Sequence, residues 1–266
     1  VGFFDLRAVI ATVSARIPAA FACKQLFDPI GRAAISIDGD LSRATAKLAI
    51  DVGAGPAASI ARAIRPPPEG WSAVAAQAAL GAQWNLDFDV ARDWLAPCAE
   101  VFGIDLEFFD RFGVRTARAM VQKYDPDKRS NSRGAVSLDL ANRTYLAQLL
   151  DQIPMRSALE RKRMFGPFAG HSISIPFGPT IEYVLDDTMA LLGIGEGLLS
   201  SVAGKGRGTG GSSILALDIS PPAMPREAWA ALLAQIGAPR RFADRLMKWR
   251  EGHITLAVDG TRLVLS

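Results

Sequence analysis

Hydrophobic and polar residues alternate along several short stretches of the chain, which is the pattern of strands with one covered face. The alternation is clearest over residues 80–89, and its apolar positions are Ala82, Trp84, Leu86 and Phe88. It also predicts hairpins near both ends of the chain, over 34–52 and over 253–265. Each hairpin has a turn of Gly and Asp between its two strands, which strengthens the prediction.

A strand followed by a helix is predicted at three places, over 82–99, 135–152 and 212–236. Each of these segments carries a Leu-Asp step in its strand. The intervals between the segments are uneven, which excludes a regular solenoid. We therefore predict a degenerate internal repeat.

Apolar residues at helical spacing predict helices over 5–27, 105–124 and 180–192. In the last of these, one face collects Ile181, Val184, Leu185, Met189 and Leu192. The basic segment 154–170 contains Gly166-Pro167 and is predicted to be a helical turn followed by a loop. A short strand is predicted to follow at 171–175.

These elements indicate an α+β fold, because strands that alternate belong to sheets with one polar face, which are usually antiparallel or mixed. We predict a mixed or mainly antiparallel sheet with N- and C-terminal hairpins and with strand–helix repeats packed on one face. The polar loop at 125–134 is the best candidate for a boundary. It predicts a first α+β half at 1–125 and a second at 134–266; the alternative is one continuous domain.

The composition narrows the class of protein. The chain has 266 residues, of which 49% are hydrophobic, and a mean hydropathy of +0.16. These values favour a large core, a buried interface or an apolar ligand. The net charge of +3 is not gathered into a basic stripe, so no nucleic-acid partner is expected. No stretch is long and apolar enough to predict a transmembrane segment.

The chain has two cysteines and two histidines. Neither cysteine belongs to a Cys-x-x-Cys pair, and the spacing of the cysteines and histidines offers no cluster of metal ligands. We expect neither a metal nor a cofactor. Cys23 and Cys98 lie in apolar surroundings, so they are predicted to be either two buried thiols or the two ends of one disulfide.

Glycines with nearby cations make residues 193–211 a candidate phosphate-binding loop, with Lys205 and Arg207 as its charged groups. The sequence departs from the known phosphate motifs. Leu198 and Leu199 stand where the dinucleotide and P-loop patterns require Gly, and Gly206 stands where the P-loop requires Ser or Thr. The alternative is a flexible loop without a ligand.

Two pairs of carboxylates are candidates for acid–base work. Glu182 and Asp186 are four residues apart in the predicted helix 180–192, so they would share a face and repel each other. Such a pair can raise one carboxyl pKa or bind a cation, and the alternative is a solvated helix face. Asp87 and Asp89 would share the polar face of the strand at 80–89.

The first functional hypothesis is a non-catalytic protein that acts through protein–protein contacts, as a structural or accessory subunit of a larger bacterial assembly. The alternation of helices with amphipathic strands is similar to that of extracytoplasmic bacterial proteins, which implies a periplasmic or cell-surface location; the alternative is a cytoplasmic location. The first residues contain neither an initiating Met nor a basic leader, so we expect a processed product or a piece of a longer chain.

Two alternatives stay open. One is a carrier of an apolar small molecule or lipid, because a curved sheet backed by helices can enclose such a ligand. The other is a hydrolase that depends on the carboxylate pairs named above. We expect protein partners in the first case, an apolar ligand in the second and a catalytic site only in the third.

Overall fold

The computed structural model describes residues 2–5, 32–39, 44–66, 78–88, 111–153, 156–204, 213–235 and 241–266, together with the single positions 92, 96 and 107. Its main feature is one antiparallel sheet of 13 strands. Numbered along the chain, the strands follow one another across the sheet in the order β1-β2-β3-β13-β12-β11-β4-β5-β6-β10-β9-β8-β7.

The first seven strands are β1 (Gly2–Asp5), β2 (Arg32–Gly39), β3 (Ala44–Asp51), β4 (Leu80–Trp84), β5 (Val114–Lys123), β6 (Arg133–Leu140) and β7 (Glu160–Phe165). The others are β8 (Phe168–Ser174), β9 (Thr180–Leu185), β10 (Met189–Ile194), β11 (Ser213–Ile219), β12 (Gly252–Asp259) and β13 (Arg262–Leu265). The helices of the described ranges are α1 (Ala54–Ala63), α2 (Thr144–Asp151), α3 (Arg156–Leu159), α4 (Leu198–Val202), α5 (Arg226–Gln235) and α6 (Arg241–Leu246).

The α+β class and the antiparallel character of the sheet are confirmed, with far more sheet than the sequence pattern indicates. Both terminal hairpins form: β2 pairs with β3, and β12 pairs with β13. The second turn lies one residue later than predicted, at Gly260 and Thr261, because Asp259 pairs with Arg262 as the last residue of β12. Gly260 has a φ of +59°, a value that glycine adopts without a steric penalty. The strand–helix pairs β6–α2 and β11–α5 also form where they were predicted, while the internal repeat itself stays a prediction.

Strands from the two predicted halves are interleaved in the sheet. Strand β4 lies between β11 and β5, and β13 lies between β12 and β3. The ladder is therefore continuous from β1 to β7. The division at 125–134 falls in the connection between β5 and β6, which are themselves paired neighbours, and the independence of the two halves stays a prediction.

The predicted helix over 180–192 is wrong. This segment forms β9 and β10, a hairpin whose turn contains Asp186 and Asp187. The strands are buried on both faces, so their apolar residues do not alternate, and the helical spacing that remains is accidental. Likewise, β5 occupies the second half of the predicted helix over 105–124, because pairing with β4 and β6 overrides the helix propensity of its Ala, Arg and Met residues.

The prediction of a loop in 154–170 is also wrong. After the short helix α3, the chain forms β7 and β8, joined by a turn of two residues, Gly166 and Pro167. Gly166 has a φ of +55°, and a Cβ there would lie 2.8 Å from the carbonyl oxygen of Ala203. Glycine is thus required at this turn by conformation and by space.

Strand β10 lies in the interior, with a helix on each of its faces. Ala190 is buried in a cluster with Leu146 of α2. Its neighbour Leu191, on the opposite face, is buried in a cluster with Leu198 of α4. Packing of helices on one face only is therefore not confirmed. No helix in the described part of the chain has both the length and the apolar character needed to cross a bilayer.

Candidate interaction edge

Strand β7 forms one edge of the sheet and, within the described ranges, pairs with β8 alone. Its sequence is Glu-Arg-Lys-Arg-Met-Phe. The four central residues are exposed, and Met164 exposes 62% of its surface. A strand with open backbone groups and side chains in solvent is a template for pairing with another chain. We call β7 the interaction edge.

The hairpin turn determines which backbone groups of β7 face outward. Phe165 and Phe168 flank the two-residue turn and are partners in the ladder, so they exchange both of their backbone hydrogen bonds. The bonded pairs then recur at every second residue, which assigns Arg161 and Arg163 to bonding with β8. The N–H and C=O groups of Lys162 and Met164 consequently point away from the sheet.

The first residue of β7, Glu160, also has an outward carbonyl, but a side chain occupies it. Arg161 Nη1 donates hydrogen bonds to the carbonyl oxygens of Glu160, at 3.0 Å, and of Ala158, at 3.1 Å. These bonds cover the beginning of the edge. The open part of the ladder in β7 is therefore the two-residue unit of Lys162 and Met164.

A cluster of polar side chains fixes the carboxylate of Glu160 to the interior. Tyr183, two strands away on β9, donates a hydrogen bond from its hydroxyl to Glu160 Oε1. Arg156 Nε donates to the same oxygen at 3.1 Å, and Arg156 Nη2 donates to the Tyr183 hydroxyl oxygen at 2.7 Å. Arg156 is also paired with Asp151 at the end of α2. We call Glu160, Tyr183 and Arg156 the anchor cluster.

His171 completes the surroundings of the anchor cluster from β8, the strand between β7 and β9. Its ring stacks on the Tyr183 ring, with centroids 5.2 Å apart and planes 13° from parallel. His171 Nδ1 is buried and lies 3.2 Å from Glu160 Oε1, without the alignment of a hydrogen bond. Tyr183 is itself buried beside Leu150 and Ile173, so the polar cluster adjoins the core.

The protonation states of the anchor cluster are fixed by its own contacts. Burial, reinforced by the hydrogen bond to Glu160, raises the pKa of Tyr183 to about 12. Burial by itself opposes ionisation of Glu160, yet the hydrogen bonds from Tyr183 and Arg156 hold the pKa of Glu160 below its ordinary value. Both shifts lead away from neutral pH, whereas a general acid or base has its pKa moved toward the working pH. The anchor cluster is therefore suited to hold an ionised Glu160 and a protonated Tyr183 in place at neutral pH.

An exposed aromatic side chain lies at the same end of the sheet. The turn from β8 to β9 begins after Ser174, whose neighbour Ile173 pairs with Glu160. Phe177, in this turn, has a φ of +60° and a fully exposed side chain. In the described part of the chain it is the one residue other than glycine with a positive φ. A bulky residue in this conformation is strained by roughly 1–2 kcal/mol.

The structure separates the predicted pair of Glu182 and Asp186. Glu182 lies in β9 and is fully buried, and its carboxylate accepts hydrogen bonds from the backbone N–H groups of Gly197, at 2.7 Å, and Leu199, at 2.8 Å. Asp186 lies in the exposed turn that follows β9. Glu182 therefore fastens the beginning of α4 to the sheet, and the shared helix face on which the acid–base hypothesis rested does not exist.

The strand that was predicted to carry Asp87 and Asp89 is shorter than expected. The strand ends at Trp84, and Asp87 is buried beyond it, 2.9 Å from Arg65 Nε. Its backbone N–H donates to the carbonyl oxygen of Ala63, so Asp87 joins the end of α1 to the sheet. Asp89 lies outside the described residues.

Other predicted site residues lie outside the described ranges. These are Lys205 and Arg207 of the glycine-rich segment and the candidate disulfide pair Cys23 and Cys98. Their roles stay predictions, as does the apolar ligand. Among the residues that the structure does describe, no three His, Cys, Asp or Glu side chains are grouped so that they could hold a metal ion.

Sequence reasoning missed the anchor cluster because it assigned Tyr183 to a helix and Glu160 to a loop. Two signals could have found it. Phe165 and Phe168 flank a Gly-Pro pair at the separation of a two-residue hairpin. The segment beginning Thr180-Ile181 is rich in β-branched residues and ends at Asp186-Asp187, as a strand followed by a turn would.

Comparison of the chain with protein families, with curated proteins and with solved structures gives no match in any of the three.

Proposed function

We propose that this protein is a non-catalytic subunit that binds a protein partner through the interaction edge, as part of a larger extracytoplasmic bacterial assembly. The observation that carries the proposal is the edge strand β7, where Lys162 and Met164 direct their backbone groups away from the sheet and have exposed side chains. Edge strands of this kind are used for recognition when another chain completes the sheet.

The chemistry of the carboxylates favours a binding role over a catalytic one. Glu160 is held ionised by Tyr183 and Arg156, and Tyr183 is held protonated. Glu182 is occupied by two backbone N–H groups, and Asp87 is paired with Arg65. Each of these acids is engaged by specific partners that stabilise the fold.

Exposed apolar side chains beside the edge support the same role. Met164 projects from β7 itself, and Phe177 projects from the turn at the end of the sheet where β7 begins. An aromatic residue that is both fully exposed and strained stabilises nothing in the isolated chain. Burial of Phe177 in a partner would recover a favourable contribution of about 2 kcal/mol from its apolar surface.

Site-specific photocrosslinking in the native cell tests the proposal. A photoreactive residue is placed at Met164 and, as a matched control, at Phe242, an exposed apolar residue of α6. We expect a discrete crosslinked species from Met164 and none from Phe242. Mass spectrometry then identifies the partner, and the complex is rebuilt from the two purified proteins. Equal labelling from both positions, or no crosslink from Met164, would contradict the proposal.

The proposed compartment needs a separate measurement. Fractionation of the native cell, with thiol alkylation before and after reduction, reports both the location and the state of Cys23 and Cys98. An extracytoplasmic chain should be recovered with the periplasmic or surface fraction. Recovery in the cytoplasmic fraction with two free thiols would contradict this part of the proposal.

A further inference from the structure

We propose that the interaction edge binds an acidic, extended segment of its partner as an additional strand, with backbone pairing at Lys162 and Met164. This inference rests on the proposed function and adds the chemistry of the partner. It has two independent supports, the direction of the backbone groups of β7 and the charge of its side chains.

The backbone of β7 limits where an added strand can pair. Lys162 and Met164 each direct one N–H and one C=O outward, as the register from the Gly166–Pro167 turn requires. The carbonyl of Glu160 already accepts a hydrogen bond from Arg161. An incoming strand therefore has a two-residue unit of four open backbone groups on β7, and its pairing begins at Lys162.

The side chains of β7 determine the charge of the segment. Arg161 and Arg163 project from one face of the strand and Lys162 from the other, and all three are exposed. The carboxylate of Glu160 cannot offset these charges at the edge because the anchor cluster neutralises it. Acidic side chains on both faces of an added strand would each lie beside a cation.

A second copy of this chain is a poor occupant of the edge. Pairing of β7 with another β7 would place the cations of one copy against those of the other, and like charges on neighbouring strands are destabilising. The exposed acid Glu196 has Oε1 3.8 Å from Arg163 Nη2, while Arg161 and Lys162 have no ion-pair partner among the described residues. The charge thus excludes self-pairing and admits an acidic segment.

Charged residues on an edge strand can also serve only to prevent aggregation. A purely protective edge has no use for an apolar side chain at an open backbone position. Met164 occupies such a position and exposes 62% of its surface. Its flexible thioether side chain can adapt to varied partner side chains, which suits a recognition strand.

The test uses the full chain and a fluorescent peptide of Glu and Val in which Glu occupies both odd and even positions, so that an extended strand carries acids on both faces. Binding is followed by anisotropy at low salt. Three control probes are the same peptide with a central Pro, its Lys counterpart and a single-stranded oligonucleotide of equal charge. We expect the acidic peptide to bind at least about tenfold more tightly than each control, because it alone supplies both extended pairing and negative side chains. Binding should weaken as salt is added.

Two pairs of variants separate pairing from charge. Met164→Pro removes an outward N–H that β8 does not use, so the fold should persist, and Met164→Ala is its matched control. Arg163→Glu reverses a charge at the edge, and Arg241→Glu makes the same change on α6. We expect Met164→Pro and Arg163→Glu each to weaken peptide binding at least about tenfold. The two control variants should weaken it less than about threefold. Circular dichroism verifies that every variant is folded.

Each other outcome overturns a stated part of the inference. Equal binding by Met164→Pro and Met164→Ala would show attraction to charge without strand addition. Equal binding of the oligonucleotide would reveal a general polyanion surface. Absence of peptide binding, beside a partner crosslinked at Met164, would overturn the acidic strand and leave the proposed function standing. Peptide binding without any crosslinked partner would contradict the proposed function instead.

Discussion

The Tyr183 hydroxyl donates a hydrogen bond to the carboxylate of Glu160 across an entire intervening strand. This bond joins the interior strand β9 to the first residue of the interaction edge. The bond requires the Tyr183 proton, and it is strongest while Glu160 is ionised. Its strength therefore depends on two titrations that lie on opposite sides of neutral pH.

Alkaline pH should weaken the fold through Tyr183. Its folded pKa is about 12, above the ordinary value of 10.0. The proton is held more tightly in the folded state, so the stabilisation is complete below about pH 10 and is lost as the pH rises toward 12. We expect the free energy of unfolding to fall by on the order of 2 kcal/mol over this interval. Urea titrations at several pH values measure it.

The matched control for this prediction is the pair Tyr183→Phe and Tyr145→Phe. Tyr183→Phe should lower stability by about 1 kcal/mol at neutral pH and remove much of the alkaline loss. The ring of Tyr145 packs edge-on against Phe112. Tyr145→Phe should leave the alkaline loss of unfolding free energy unchanged. An identical pH dependence in wild type and Tyr183→Phe would refute the assignment.

Removal of the buried carboxylate of Glu182 should be costly. In Glu182→Gln, an amide nitrogen would face one of the two backbone N–H groups that now donate to the carboxylate. That N–H group would be left without an acceptor. We expect a loss of about 2 kcal/mol in the free energy of unfolding. Faster hydrogen exchange at Gly197 and Leu199 should accompany it. Glu227→Gln, an exposed control, should change stability by less than about 0.5 kcal/mol.

Two glycines should respond in opposite ways to replacement by alanine. A Cβ at Gly170 would lie 2.3 Å from the carbonyl oxygen of Tyr183 and 2.9 Å from Phe165 Cδ2, so β8 would have to shift. We expect Gly170→Ala to destabilise the protein by about 2–3 kcal/mol. A Cβ at Gly55, in α1, meets nothing within 4 Å, and Gly55→Ala should add about 0.5–1 kcal/mol. Thermal unfolding compares the two, and a loss at Gly55 would contradict the open space there.

The strain at Phe177 should be measurable as stability gained on its removal. Asn tolerates a φ near +60°, so Phe177→Asn should raise the free energy of unfolding by about 1 kcal/mol. The same change at Phe242, an exposed residue of α6, is the control and should produce no gain. Partner capture from the cell should decline in Phe177→Asn. A clear loss of stability would mean that the ring packs against the protein.

Local sequence signals predicted the parts of the fold that depend on neighbouring residues. The C-terminal hairpin carries the turn signal Asp259-Gly260, of which Gly260 lies in the turn itself, and the strand β11 alternates before the helix α5. The strands β9 and β10 could not be recognised by alternation because both of their faces are buried. Burial on two faces is a property of the assembled sheet, and no local pattern encodes it.

The candidate site was less predictable than the fold because its members are distant in sequence. Glu160 and Tyr183 are 23 residues apart in the sequence. They come into contact only in the assembled sheet, where β8 lies between their two strands. The sequence shows that 161–163 is basic. The role of these cations, however, depends on whether the segment is a loop or an edge strand. That distinction follows from the order of strands in the sheet, which the chain does not state locally.

The placement of β13 has a consequence for the order of assembly in the cell. Among the described strands, β1 to β3 join the remainder of the ladder only through β13, whose Arg262–Leu265 pairs with Leu48–Asp51 of β3. The ribosome releases β3 long before β13. During synthesis, the β2–β3 hairpin therefore has an unpaired edge at β3 until β13 has been made. Such long-range strand pairing forms slowly, so the β2–β3 hairpin is the segment that a chaperone would need to protect from aggregation during synthesis.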